Sequence, residues 1–211
     1  MVQSAKTLLG SRVWCQDGPI GIIKDILFSD SDWTLTYMVV AKHRWLPLGK
    51  IVLEPAVISC PQGQGKVMSG LTRKGLGDCP PASEHLPLAA QKKLDKKIQR
   101  VRMTRTSPDK MAKADVRIRS LVDKMNPHLH SMKEIIGYGI QAKDGEIGTV
   151  GDACFDPSQW NLKGVKVKNG RAGIKNNDFI STDLISEIRC RQQQVTLVTA
   201  KEGVLHALKS A

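Results

Sequence analysis

The sequence predicts a mainly β protein: two small antiparallel β-barrels joined by a helical spacer. Three observations lead there. Residues 4–40 recur at 131–167 with a constant offset of 127, and 13 of the 37 aligned positions are identical, where average composition gives about two. The shared residues include Ser4/Ser131, Asp17/Asp144, Gly18/Gly145, Gly21/Gly148, Asp25/Asp152, Phe28/Phe155 and Trp33/Trp160. Each copy carries Asp-Gly between apolar runs, a strong short hairpin signal because such turns need positive φ. Each copy then offers five or six short strands and little helical periodicity, the pattern of a small barrel. A period this long marks a duplicated domain rather than a solenoid. The boundaries follow as 1–76 for the first repeat, 77–130 for the spacer and 131–211 for the second repeat.

Each repeat opens with a short apolar strand at 8–14 or 135–141. The Asp-Gly turn leads into a second strand at 20–28 or 147–155. The glycine at its second position, Gly21 or Gly148, signals a bulge or a close backbone approach. A polar turn precedes the strand at 33–40 or 160–167, whose imperfect alternation leaves the buried face open. Further strands are expected at 50–53 and 67–71, and at 178–180 and 195–198. The register continues into Leu71-Thr72 and Val198-Thr199.

The spacer begins with Cys79-Pro80-Pro81, which stops strand and helix alike. Residues 83–103 then read as an amphipathic helix. Leu94, Ile98 and Val101 lie on one side, and Lys92, Lys93, Lys96, Lys97 and Arg100 on the other. A second helix runs from Ser107-Pro108, with Met111, Ala114, Ile118, Leu121, Val122 and Met125 as its stripe, to Asn126-Pro127. These stripes should dock on a barrel, on each other or on a second copy of the chain, which makes a homodimer one expected form.

The net charge is +12. Residues 77–130 hold 12 basic and 6 acidic residues, half of that excess in a quarter of the chain. The same charge marks either an anionic partner or a solvated face. Few aromatics interleave with the lysines, which weighs against single-stranded nucleic acid. No run reaches the roughly 18 apolar residues of a membrane span, and the N-terminus lacks a signal-peptide core. The five cysteines show no C-x-x-C pair. They read as reduced thiols of a cytoplasmic protein, mostly small core residues.

The ordered motifs Leu9-Gly10-x-x-Val13, Asp17-Gly18-x-Ile20-Gly21, Asp25-x-x-Phe28, Trp33, Tyr37-x-Val39-Val40 and Trp45-Leu46-Pro47-Leu48-Gly49-Lys50-Ile51-Val52-Leu53 resemble the PRC-barrel family. Ile136-Gly137-Tyr138, Asp144-Gly145-Glu146-Ile147-Gly148 and Asp152-x-x-Phe155-x-x-x-x-Trp160 match it again. The resemblance covers both repeats and the duplicated layout. The second copy replaces the Trp-Leu-Pro loop with residues 168–177. Such barrels occur as binding modules in the cytoplasmic part of the photosynthetic reaction centre H subunit and in a ribosome-maturation factor. The resemblance therefore implies a non-catalytic adaptor for protein–protein assembly. RNA or ribosome association through the basic spacer is the alternative.

The sequence asks for no catalytic group, cofactor or metal. Asp17/Asp144 and Asp25/Asp152 read as turn residues or local caps on backbone amides. His128 and His130 read as a chance polar pair, because zinc wants three or four ligands. Trp33 and Trp160, equivalent in the two copies, read as packing residues. The candidate partner-binding residues are Lys92, Lys93, Lys96, Lys97 and Arg100 of the spacer, with Trp45, Leu46 and Pro47 of the first repeat.

Overall fold

The computed structural model describes residues 2–42, 49–59, 66–87 and 125–209. The first half contains β1 (Gln3–Ser4), α1 (Ala5–Leu8), β2 (Arg12–Cys15), β3 (Gly18–Ser29), β4 (Leu35–Lys42), β5 (Lys50–Leu53), β6 (Ile58–Ser59) and β7 (Lys66–Ser69). Short strands β8 (Leu86–Pro87) and β9 (Met125–Asn126) follow. The second half contains β10 (Leu129–Ser131), α2 (Met132–Ile135), β11 (Gly139–Ala142), β12 (Gly145–Asp156), β13 (Asn161–Lys168), β14 (Phe179–Ser181), β15 (Ile185–Arg189), β16 (Gln194–Leu197) and α3 (Lys201–Lys209).

The protein is mainly β and builds two seven-stranded sheets of the same plan. One follows β5-β4-β3-β2-β7-β6 and the other β14-β13-β12-β11-β16-β15. Two features differ from antiparallel barrels. The pairs β2–β7 and β11–β16 are parallel. Neither path closes among the described residues, since β5 and β6, like β14 and β15, do not pair. The offset of 127 holds from β2 through β5, but the last strands shift. Val13 pairs with Val67 and Ile140 with Val195, so β7 and β16 correspond at an offset of 128. The extra residue is Ser186, bulged where Ile185 pairs with Leu197 and Glu187 with Thr196. Leu71 therefore corresponds to Thr199, not Val198: Gln16 N–H donates to the Leu71 carbonyl and Lys143 N–H to that of Thr199.

Gly18 and Gly145 both take φ of +136°. Cys15 pairs with Gly18, which leaves Gln16-Asp17 as a two-residue loop. Asp17 and Asp144 are not among the positive-φ residues, so only the glycine of each pair needs positive φ. Gly21 and Gly148 sit at a bulge opposite β2 and β11. A Cβ at Gly21 would lie 2.0 Å from the Ala41 carbonyl oxygen, so the close approach expected there is real. Instead of an opening strand, each repeat begins with one helical turn, α1 or α2. A glycine at positive φ, Gly10 (+87°) or Gly137 (+101°), then turns the chain into β2 or β11.

The repeats exchange their first segments. β1 pairs with β12, Gln3 opposite Phe155 and Ser4 opposite Cys154. At an offset of 127, β10 pairs with β3, His130 opposite Phe28 and Ser131 opposite Leu27. The paired aspartates anchor this exchange. Asp25 accepts hydrogen bonds from Ser131 Oγ at 2.6 Å and from Lys133 N–H at 3.1 Å. Asp152 accepts the equivalent bonds from Ser4 Oγ and from Lys6 N–H. Asp17 and Asp144 also bind distant amides, those of Arg73 and Lys201. The carboxylates are caps, as expected, but they cap backbone far away in sequence as well as their own neighbours Ile26 and Ala153.

A pseudo-two-fold contact joins the sheets directly. Leu35 N–H donates to the Trp160 carbonyl and Leu162 N–H to that of Trp33, both at 2.7 Å, around a Thr34–Asn161 bridge. Trp33 and Trp160 adopt φ of 58° and 56°, a conformation costing an L-residue about 1–2 kcal/mol. Each indole stacks on the phenylalanine of its own repeat, Phe28 at 6.3 Å and Phe155 at 5.7 Å. The tryptophans are packing residues, and they also turn the chain into this contact.

One hydrophobic cluster runs through both repeats, from Ala5 and Leu8 to Val204 of α3. In β4, Met38 and Val40 enter this core while Tyr37 and Val39 face outward. Leu35 also points inward, because a register shift at Leu27/Phe28 breaks the alternation. The outward residues form a second, smaller cluster of Leu27, Val39, Val52 and Leu129. Residues 83–87 do not begin a helix. They form a turn that ends in β8, which pairs in parallel with β9, Leu86 opposite Met125. Pro81 also pairs, bridging Ile51 at the edge of β5. The rest of the two expected spacer helices lies outside the described residues.

Candidate partner-binding cleft

Lys92, Lys93, Lys96, Lys97 and Arg100, like Trp45, Leu46 and Pro47, lie outside the described residues. The described residues that flank them converge on one cleft of about 830 Å³ on the outer side of the first sheet. Lys42 and Gly49, on either side of 43–48, line it, as do Leu86 and Pro87, which lead into 88–124. Met125, where the chain returns, pairs with Leu86.

Four lysines rim the cleft: Lys24, Lys42, Lys50 and Lys133. Strand geometry places the first three. Lys24 projects from the exposed face of β3, while Lys42 and Lys50 end β4 and β5, which are antiparallel neighbours. Lys133 arrives through the exchange, on α2 of the second repeat. None of the four forms an ion pair among the described residues. The wall between them carries Leu27, Val39, Ile51 and Leu76, together with the carboxylates Asp25 and Glu134. Burial pushes the Asp25 carboxyl above the usual carboxylate range. Its bonds from Ser131, Lys133 and Ile26 pull the other way, and nearby Glu134 adds to the rise. Among the described residues no tryptophan or phenylalanine lines the cleft; His85 does, tilted against the Tyr37 ring at 4.3 Å. The arrangement suits an extended anionic segment that also has apolar side chains.

The two histidines are not a chance pair. His128 Nδ1 lies 3.0 Å from one oxygen of Asp30 and His130 Nε2 2.7 Å from the other. His130, 1% exposed, also places Nδ1 3.4 Å from Cys190 Sγ. Asp30, on β3's end, and Cys190, after β15, come together only through the exchange of β10, which sequence spacing cannot show. The order carboxylate–imidazole–thiol resembles that of a nucleophile, its base and an orienting acid. Here Cys190 is 5% exposed and lies against the buried Tyr138, whose phenol pKa is raised by burial and then by the thiol itself. None of these groups lines the cleft. We read the chain of contacts as a polar tie between the repeats.

Among the described residues, three cysteines are buried, Cys79 is half-buried, and none is in a disulfide. Burial raises the pKa of Cys15, Cys79 and Cys154, which keeps these thiols protonated and unreactive. No three His, Cys, Asp or Glu side chains among the described residues are grouped to hold a metal ion. No helix among them is long and apolar enough to cross a membrane. Compared with family models and with curated proteins, the chain matches none.

Proposed function

We propose that this chain is a non-catalytic adaptor built from two PRC-barrel-type repeats, and that it holds an acidic segment of a partner protein in the lysine-rimmed cleft. The observation that carries this reading is the convergence on that cleft. Four lysines without ion-pair partners among the described residues surround a partly apolar wall. The chain enters both sequence-designated binding segments from its lining, at Lys42 and at Pro87. Residues 88–124 alone hold 12 basic and 4 acidic residues, so the positive field at the cleft extends along the chain beyond it. Lysines around apolar area favour an acidic segment carrying leucine- or valine-type anchors over a free small anion.

RNA is the second reading, favoured by the charge of 88–124. It fits the cleft less well, because single-stranded RNA is held by aromatic stacking as well as by charge. Among the described residues the one aromatic ring lining the cleft, that of His85, lies tilted against the Tyr37 ring.

The test compares the full chain with a variant carrying Lys24→Gln, Lys42→Gln, Lys50→Gln and Lys133→Gln. A fluorescent peptide alternating glutamate and leucine and a single-stranded RNA are titrated at two salt concentrations. The peptide should bind the wild type and lose at least about tenfold in affinity in the variant, or roughly 1.4 kcal/mol. Any RNA binding should survive in the variant. Equal peptide binding by both proteins would remove the cleft from the account. RNA binding that disappears with these four lysines, without peptide binding, would favour the second reading.

A further inference from the structure

The molecule contains one surface twice, once covered by an added strand and once, among the described residues, without one. In the first repeat the outer edge of β5 is covered by residues 80–82. Val52 N–H donates to the Pro80 carbonyl at 3.0 Å, Ala82 N–H donates to the Lys50 carbonyl at 2.9 Å, and Pro81 bridges Ile51. Ala82 thereby packs on the outer cluster, whose members Leu27, Val39, Val52 and Leu129 are 1%, 7%, 2% and 3% exposed.

At the offset of 127 the same positions in the second repeat are Cys154, Lys166, Phe179 and Val2. Lys166 pairs with Phe179 as Val39 pairs with Val52, so Phe179 N–H turns away from β13 as Val52 N–H turns away from β4. β13 is the only strand neighbour of β14 among the described residues. Where the first repeat breaks at Cys79-Pro80-Pro81, the second continues as α3. Its residues Leu208 and Lys209, which correspond to Pro80 and Pro81, are helical and lay no strand on β14. The consequence is visible in exposure: Phe179 is 38% exposed and Val2 54%. The Phe179 ring lies over Gly164, where a Cβ would meet Phe179 Cζ at 2.6 Å.

We propose that the bare edge of β14 is a second docking site, which takes an extended segment of a partner protein as an added antiparallel strand. The covered copy supplies the geometry of one backbone bond, from the Phe179 N–H as from that of Val52, and of a small side chain over the outer face. Its second bond is not repeated, because Asn177 lies in the turn before β14 at φ of 71° and gives its own N–H to the Val167 carbonyl. Addition of a strand to an open sheet edge is a general mode of peptide recognition, with affinity from the main chain and specificity from the side chains. Two changes from apolar to charged between the copies specify the occupant. Ala41, in the same row as Ala82 across Lys50, becomes Lys168, and Val39 in the next row becomes Lys166. A carboxylate at the position that Ala82 occupies complements this lysine pair. A second copy of the chain would instead bring the same cationic face against itself. This site shares no residue with the lysine-rimmed cleft, so it stands or falls separately from the function proposed there.

The probe is a peptide with the sequence of residues 79–87, carrying Cys79→Ser and Ala82→Asp, titrated into isotope-labelled full chain and followed by amide chemical shifts. Shifts should map to 177–181 and 164–168. Restoring alanine at position 82 should weaken binding severalfold. Phe179→Pro, which removes only an outward N–H and the exposed ring and is tolerated at a sheet edge, should leave the spectrum folded and unresponsive. Absence of shifts at millimolar peptide would overturn the proposal. So would equal binding of the peptide with alanine at position 82, or shifts that map to the cleft of the first repeat. Shifts at 177–181 that depend on protein concentration without peptide would also overturn it, by identifying a second copy as the occupant.

Discussion

Replacing Asp25 and Asp152 together by alanine should cost about 5 kcal/mol of folding stability, enough to unfold most single domains. Each carboxylate accepts a serine hydroxyl and a backbone N–H from the other repeat, and a third N–H from the residue that follows it. Truncation strands these half-buried donors, at about 2–3 kcal/mol per site. The two sites share no partner, so the losses should add. Asparagine keeps the acceptor oxygen and should cost much less. At Asp25 it should also change the pH dependence. Burial raises the folded-state pKa there, so the native state holds this proton more tightly than the unfolded chain does. Stability from that proton is present at acid pH and is lost as pH rises from about 4 through the folded pKa. Urea titrations across that range should show Asp25→Asn gaining on the wild type as pH increases. A constant difference would mean that Asp25 ionises as freely in the native state as in the unfolded one.

The second large effect is expected at Gly21. Its missing Cβ would stand 2.0 Å from the Ala41 carbonyl oxygen and 2.8 Å from that carbonyl's carbon. Those atoms are backbone of β4, hydrogen-bonded in the middle of the sheet, and cannot swing aside as a side chain can. Gly21→Val should therefore separate β3 from β4 locally and cost about 3 kcal/mol or more. Gly18→Val provides the contrast. Its added carbon would meet only the flexible Arg73 side chain, at 2.3 Å. The remaining cost is the φ of +136°, about 1–2 kcal/mol for an L-residue. Thermal or urea denaturation of the two variants should rank them in that order.

Much of this architecture is legible in the sequence because duplication prints it twice. Gly18 and Gly145, and Trp33 and Trp160, occupy equivalent positions and do equivalent work, and Gly21 and Gly148 share a bulge although only Gly148 takes a positive φ, +147°. The exchange is not legible for the same reason. Ser4 and Ser131 recur with Asp25 and Asp152 whether each serine binds the aspartate of its own repeat or of the other, so the repeat leaves the pairing open. The bulge at Ser186 adds one residue and moves β16 to an offset of 128, a slip that identity alone does not expose where few residues match. Parallel pairing of β2 with β7 leaves no local signal, because it joins residues more than fifty positions apart. The left-handed tryptophans contradict residue preference and exist because the Thr34–Asn161 contact fixes the chain on both sides.

The cleft was partly legible. Charge and the Trp-Leu-Pro motif pointed to segments that the chain enters from its lining. The lysines that build it, Lys24, Lys42, Lys50 and Lys133, come from three strands and an exchanged helical turn, and no spacing rule unites them. The contact between His130 and Cys190 has no local signal either, because the two are sixty positions apart and joined only by β10. The bare edge of β14 is visible only when the two repeats are overlaid, since each strand alone is ordinary.

Native-state hydrogen exchange of the slowest amides in β3–β4 and in β12–β13 tests the central claim most directly, namely that the exchanged segments make two repeats into one cooperative body. The wild type should show the same opening free energy in both sheets. Asp25→Ala, which touches only the β3–α2 junction, should lower both by the same amount. Protection that falls in one sheet and persists in the other would contradict the account, because the repeats would then unfold as separate units.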